Sequence, residues 1–323
     1  MENSKITGNK KAKIVFLGTP EFGAIILEEM INSDYCPSLV FTMPDEPVGR
    51  RQILTPPPVK VISQKYEIPF LQTKKVQEFK GEIEELNPDL IVSAAFGQIF
   101  PQDILDLPKF KSLNVHPSFL PKYRGSSPIQ AAILNGDKET GITIILMDQL
   151  LDHGPIVAMS SPIEIDKYDF KELTKKLALM GAKTLIEAIP LWLKGKIEPR
   201  KQDDSKAVFA DKIEKQNGRI DWKKPAEAIE RQIRAFNPWP TSFTFWKKSG
   251  KLVQVKILKA KVSDSLNDNY SSGQTIKISE KEIGVKCGKG ILIVERLQAE
   301  GGKELSSEEF LRGHQDFINQ ILN

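Results

Sequence analysis

Asn114 and His116 stand two positions apart at the end of a short apolar run, and the chain then enters a loop rich in proline and glycine, Pro117-Ser118-Phe119-Leu120-Pro121-Lys122-Tyr123-Arg124-Gly125. On a β-strand, residues two apart project from the same face, so the spacing predicts that the amide and the imidazole converge on one spot. That spot is the carboxyl end of a strand, where open α/β sheets bind their ligands. An amide beside an imidazole suits a reaction in which a carbonyl oxygen gains negative charge, because both groups donate hydrogen bonds to it. A second apolar run, Ile142-Thr143-Ile144-Ile145-Leu146-Met147, ends at Asp148 and opens the loop Asp148–Pro155. If the two strand ends are adjacent, the Asp148 carboxylate polarises His116 and helps move protons. Asn114, His116 and Asp148 together suit acyl transfer without a covalent enzyme intermediate. Spacing alone leaves a plainer reading open for each: a histidine beside a proline-rich loop is commonly structural, and an aspartate opening a turn commonly caps it.

These groups need a sheet to hold them. Lys13-Ile14-Val15-Phe16-Leu17 reads as a buried strand, and Gly18-Thr19-Pro20-Glu21 follows with turn, N-cap, first-turn proline and first-turn acid, predicting a helix to about Asn32. The turn lacks the G-x-G-x-x-G pattern of dinucleotide binding, which disfavours an oxidoreductase. Further β-like runs at Leu39–Met43, Leu90–Ala95, Leu113–His116 and Ile142–Met147 alternate with helix-compatible stretches such as Val76–Leu86 and Pro128–Asn135. The rhythm predicts an α/β domain with a mostly parallel sheet. Asp169–Gly195 reads as a long helix, and the polar stretch after it as a linker. The expected organisation is a catalytic domain over 1–193, a linker over 194–207 and a smaller domain over 208–323.

Pro225–Phe236 repeats a helical pattern, with Ile229, Ile233 and Phe236 on one face. Five short β-type segments follow, Phe243–Trp246, Leu252–Leu258, Gly273–Ile278, Ile283–Cys287 and Ile291–Leu297, divided by polar turns. They predict a small five-stranded barrel of the oligonucleotide-binding (OB-like) type. Trp222, Phe236 and Trp239, aromatics beside a proline-rich junction, are expected to pack in an interdomain core rather than stack on bases.

The 323 residues, 40% hydrophobic, suffice for two cores. No apolar run reaches the roughly 18 residues a membrane helix needs, and the polar Met1–Lys11 lacks a signal-peptide centre, so a soluble cytoplasmic protein with no membrane partner is expected. Cys36 and Cys287 form no metal or disulfide pattern, and no metal cluster is legible. With 46 basic and 42 acidic residues the net charge is only +4, so a nucleic-acid partner has to meet a local patch. Lys247, Lys248, Lys251, Lys256, Lys259 and Lys261 provide a candidate phosphate track.

Gly18-Thr-Pro-Glu-Phe22, Asn114-Val-His116-Pro-Ser118-Phe-Leu-Pro121 with Tyr123-Arg-Gly125 and Pro128-Ile-Gln130, Glu139-Thr-Gly141-Ile-Thr143, and Met147-Asp148 through Leu151-Asp152 resemble the methionyl-tRNA formyltransferase family. The Asn-x-His strand and a later aspartate are shared with the wider folate-dependent formyltransferase family. Pro44–Arg50, Gly218-Arg-Ile220-Asp221-Trp222 and Arg234–Pro240 are more discriminating, and the similarity spans about residues 11 to 315. The resemblance implies a Rossmann-like formyltransferase domain followed by an OB-like domain. It also implies catalysis by Asn114, His116 and Asp148, 10-formyltetrahydrofolate as formyl donor at Ser118, Phe119, Leu120 and Pro121, and no metal. The acceptor it implies is methionyl initiator tRNA, contacted by Arg50, with the protein acting as a monomer. Sugar-nucleotide N-formylation and non-catalytic tRNA binding are the competing readings. Two departures carry expectations: Leu150 stands where the family has glycine and resists a positive φ, and the loop after Arg50 is poor in lysine, which weakens phosphate attraction.

Overall fold

The computed structural model describes residues 12–49, 51–263 and 270–323. The chain forms two compact units. One comprises the chain up to Ser126 with Thr140–Ile163 and Thr174–Ala210; the other comprises Ser127–Glu139, Glu164–Leu173 and Asp211–Asn323.

The first unit is built on a seven-stranded sheet in the order Ile156–Met159, Thr143–Leu146, Ser112–His116, Leu90–Ala94, Ile14–Gly18, Leu39–Thr42, Phe70–Gln72. Every residue of Ile14–Gly18 and Leu90–Ala94 is buried, as strands covered on both faces require. The five strands from Ser112–His116 to Phe70–Gln72 pair in parallel. Thr143–Leu146 and Ile156–Met159 instead run antiparallel. The loop joining those two is shorter than the dozen or more residues a parallel crossover needs, so the chain has to double back.

The helix Glu21–Ile31 starts one residue later than Thr19 capping predicts, with Pro20 in extended conformation at its cap. Thr19 turns its hydroxyl to the Phe96 carbonyl instead, 3.3 Å away. The helix lies so close to the sheet that a Cβ on Gly23 comes within 2.6 Å of the Ala94 carbonyl oxygen. Gly18-Thr-Pro-Glu is therefore a packing turn. The stretch Val76–Leu86 divides into a 3₁₀ turn, Val76–Phe79, and a helix, Lys80–Leu86. The long helix Phe170–Leu193 crosses the strand Ser112–His116 at Gly181, where an added Cβ meets Val115 Cγ1 at 2.9 Å. Val115 thus faces the helix, and strand alternation turns Asn114 and His116 to the other side. No helix among the described residues is long and apolar enough to cross a membrane.

The second unit carries a curled antiparallel sheet in the order Ser242–Lys248, Lys251–Ser263, Ile291–Ala299, Ile283–Lys286, Thr275–Lys277, with Leu305–Ser306 added to Ile291–Ala299. It forms a half-barrel whose core gathers Trp246, Val255, Ile257, Val285, Leu292, Phe310 and Phe317. The helix Ala226–Phe236 lays Ile229 and Ile233 against it. Its other side reaches the helix Pro128–Asn135, where Arg231 donates to the Leu134 carbonyl at 3.2 Å. Trp222 and Phe236 are buried, Trp222 within the half-barrel core, but Trp239 is 52% exposed. Prolines flank Trp239 on both sides, and 237–240 form a turn closed by the Thr241 N–H donating to the Phe236 carbonyl at 2.8 Å, so the indole sits on an exposed turn rather than in a core. His314 packs on Trp246 and Phe310 and approaches Lys248 Nζ at 3.1 Å; burial, then Lys248, pulls its pKa below the ordinary histidine value.

Candidate active site

Asn114 and His116 lie at the carboxyl end of a parallel strand, side by side on one face. His116 is 3% exposed. Its Nε2 lies 2.8 Å from the backbone carbonyl of Tyr123. A carbonyl only accepts, so Nε2 carries the proton and donates. Tyr123 holds this carbonyl in place with a left-handed backbone, φ +65°. The remaining ring nitrogen, Nδ1, faces the carboxylate of Asp152, 3.5 Å from Oδ1. The same Oδ1 accepts from Asn114 Nδ2 at 3.2 Å, and Asp152 Oδ2 accepts the Gly125 backbone N–H at 2.9 Å. One carboxylate therefore gathers the amide, the imidazole and the loop that follows them.

The carboxylate beside His116 is Asp152, not Asp148. The reason is strand direction. Thr143–Leu146 runs antiparallel to Ser112–His116, with Thr143 opposite His116 and Leu146 opposite Leu113. Its carboxyl end thus leads away from His116, and the Met147 N–H donates to the Ser112 carbonyl at 2.8 Å. The loop then turns back and delivers Asp152. Asp148 stays at the far end, where Oδ2 meets His153 Nδ1 at 2.6 Å and Oδ1 accepts the Leu150 N–H at 3.0 Å. The left-handed residue in this loop is Asp152, φ +50°, rather than Leu150, whose side chain is exposed. Glycine is needed at position 154 instead: a Cβ there lies 1.7 Å from the Leu146 carbonyl oxygen.

Arg124, 4% exposed, braces the site. Its Nε and Nη2 donate to Gln202 Oε1 at 3.0 and 2.9 Å, and Nη2 also donates to Asp204 Oδ1 at 2.7 Å. The Arg124 guanidinium holds the Asp204 carboxyl below the ordinary aspartate range. Gln202 Nε2 in turn donates to the carbonyls of Asp152 and Gly154, each at 2.8 Å.

The segment Ser118–Pro121 is tied into the sheet. Ser118 Oγ donates to the Lys122 carbonyl at 2.6 Å, and Thr143 Oγ1 bridges the Ser118 carbonyl at 2.7 Å and the Leu120 N–H at 3.1 Å. Leu120 is buried, whereas Phe119 and Pro121 are partly exposed; the Phe119 ring covers Gly141, where a Cβ meets it at 2.3 Å. Arg50 lies outside the described residues. Beside it, the strands Glu46–Val48 and Ile53–Thr55 form a hairpin that exposes Val48, Ile53 and Leu54. Its base is held by Asp45, which accepts from Lys60 Nζ at 2.8 Å and from Gln72 at 2.7 Å. In the second unit, Lys259 and Lys261 pair with Glu295 and Glu282 at 3.3 and 3.4 Å, so part of the lysine track is neutralised. Among the described residues no group of three or more His, Cys, Asp or Glu is placed to hold a metal ion.

The sequence profile described as formyl transferase matches residues 12–189. The chain belongs to the formyl transferase family. The formyl transferase C-terminal domain profile matches residues 212–315. Among family members, the methionyl-tRNA formyltransferase of Geobacter sulfurreducens is 41% identical over 93% of each chain. That of Halalkalibacterium halodurans is 43% identical over 93% of this chain and 94% of its own. A solved N-formyltransferase from Helicobacter canadensis, in complex with folinic acid and dTDP-3-aminofucose, superposes with a TM-score of 0.62 over 91% of this chain and 100% of its own. At 20% identity that likeness shows the shared formyl transferase fold.

Proposed function

We propose that this formyl transferase moves a formyl group from 10-formyltetrahydrofolate to the α-amino group of methionyl initiator tRNA, acting as a monomer. The observation that carries the reading is similarity to methionyl-tRNA formyltransferases that runs through both halves of the chain, at 41–43% identity over 93% of its length. The chemistry rests on the shared carboxylate of Asp152.

The amine nitrogen attacks the formyl carbon, and the formyl oxygen becomes an oxyanion. Asn114 Nδ2 has two hydrogens and spends one on Asp152; the other serves the oxyanion. His116 Nε2–H is committed to Tyr123, so the ring works through Nδ1. In the neutral ring that atom accepts a proton, and the resulting cation faces Asp152. His116 and Asp152 thus take the proton the amine sheds and return it to the departing tetrahydrofolate nitrogen. Ser118–Pro121 line the donor side. Arg50 and the hairpin beside it meet the acceptor end of the tRNA, with apolar Val48, Ile53 and Leu54 supplementing its charge.

The test is transfer of labelled formyl from 10-formyltetrahydrofolate to methionyl initiator tRNA, with methionyl elongator tRNA, free methionine and amino-sugar nucleotides as controls. Selective transfer to the initiator is expected. Transfer to a sugar nucleotide alone keeps the chemistry and overturns the acceptor, and tRNA binding without transfer overturns both. Light scattering checks the monomer.

A further inference from the structure

His153 follows Asp152 directly and is 35% exposed, the usual mark of a solvated surface residue. Both of its ring nitrogens nevertheless face carboxylates. Nδ1 lies 2.6 Å from Asp148 Oδ2, and Nε2 lies 3.5 Å from Asp204 Oδ2. Each carboxylate is itself anchored, Asp148 by the Leu150 N–H at 3.0 Å and Asp204 by Arg124 at 2.7 Å. An ion pair between free surface side chains contributes little, but these partners are fixed at both ends.

The anchors form a circuit around the loop. From Asp204 it passes through Arg124 to Gln202, whose amide nitrogen holds the carbonyls on either side of His153, those of Asp152 and Gly154. From Asp148 it returns to the end of the strand Thr143–Leu146. Asp152, enclosed by this circuit, has a left-handed backbone with φ +50°, a conformation uncommon for residues with a side chain. That turn aims its carboxylate at Asn114, His116 and the Gly125 N–H. Gln202 holds the turn by its carbonyls, and His153 ties its side-chain face to both neighbouring segments.

We infer that His153 is a positioning residue: by bridging Asp148 and Asp204 it fixes the turn that delivers the Asp152 carboxylate to Asn114 and His116. The kinetic test rests on the formyl-transfer reading above; an exchange test does not.

In the full chain, His153→Ala lowers kcat on the order of tenfold, the scale of coupling between neighbouring groups. KM for the formyl donor and for methionyl-tRNA stays unchanged, because the binding surfaces are intact. His153→Gln restores most of the rate, since its amide still donates to a carboxylate. In an Asp152→Asn background, His153→Ala costs nothing further. Unchanged kcat in the alanine variant, a raised KM with unchanged kcat, or an equal loss in the Asp152→Asn background overturns the proposal. Independently, amide exchange at Gly125 and Leu150 speeds up in His153→Ala while the sheet core at Val92 keeps its protection; unaltered exchange at both loop amides overturns it. If the unaltered chain transfers no formyl group, the functional reading falls and exchange alone decides the role of His153. If the alanine variant does not fold, the glutamine variant is compared with a His153→Leu variant by the same exchange measurement.

Discussion

Asp152→Asn keeps the size and shape of the side chain while removing its charge. The native carboxylate has only acceptors to offer, and its neighbours are donors: Asn114 Nδ2 at 3.2 Å and the Gly125 N–H at 2.9 Å. An asparagine supplies one acceptor. If its oxygen serves Gly125, its NH2 confronts the NH2 of Asn114, and nothing negative faces His116 Nδ1. Losing a positioned acid–base group costs about 10²- to 10⁴-fold in rate, which corresponds to roughly 3–5 kcal/mol of barrier. Asp148→Asn removes only the partner of His153, and its expected cost is on the order of tenfold, the scale of coupling between neighbouring groups. Single-turnover formyl transfer with enzyme in excess measures both, with thermal melts to confirm that each variant is folded. An Asp148→Asn variant slower than Asp152→Asn, or near-normal turnover in the latter, refutes the assignment of the carboxylate.

Three further outcomes follow from the geometry. Gly154→Ala forces a Cβ to within 1.7 Å of the Leu146 carbonyl oxygen, so the backbone has to move; a loss of about 1–3 kcal/mol is expected in urea unfolding, together with lower turnover. Burial and Lys248 hold the His314 pKa below 6.5, so the unfolded chain binds that proton first. Its stabilising contribution is complete above the unfolded value and is lost as pH falls through the folded one; the urea midpoint should decline on acidification from pH about 7 toward 5, and His314→Gln should remove that component. Burial pushes the Cys287 thiol up to about 12, while Cys36 is partly exposed. A maleimide at mildly alkaline pH should label Cys36 alone in the folded protein and both thiols in urea.

The Asn-x-His pair is legible in the sequence because strand geometry is local: a period of two decides which side chains share a face, whatever the sheet around them. The carboxylate is not local. Identifying it requires knowing that Thr143–Leu146 runs antiparallel, and an apolar run reads the same in either direction. A usable signal was the short distance from Leu146 to the next strand, Ile156–Met159, which forbids a crossover and puts the turning loop, with Asp152 and Gly154 in it, beside the histidine. The half-barrel was legible from its turn-divided β segments. The partners of Lys259 and Lys261 were not, since Glu295 and Glu282 reach them only through strand pairing. Trp239 misleads for a different reason: hydrophobicity predicts burial, but where its indole points depends on the path of the prolines around it.

The contact between Gly181 and Val115 makes the proposed reacting groups reachable from the back of the sheet. Asn114 and His116 are separated from the helix Phe170–Leu193 by the thickness of a single strand, and the residue between them, Val115, is β-branched and stiff. Anything that thickens the helix at position 181 presses on the strand that carries the amide and the imidazole. A methyl group there acts as a lever on a site it never touches, so a lesion at this glycine can masquerade as a catalytic one while every residue of the proposed site is intact.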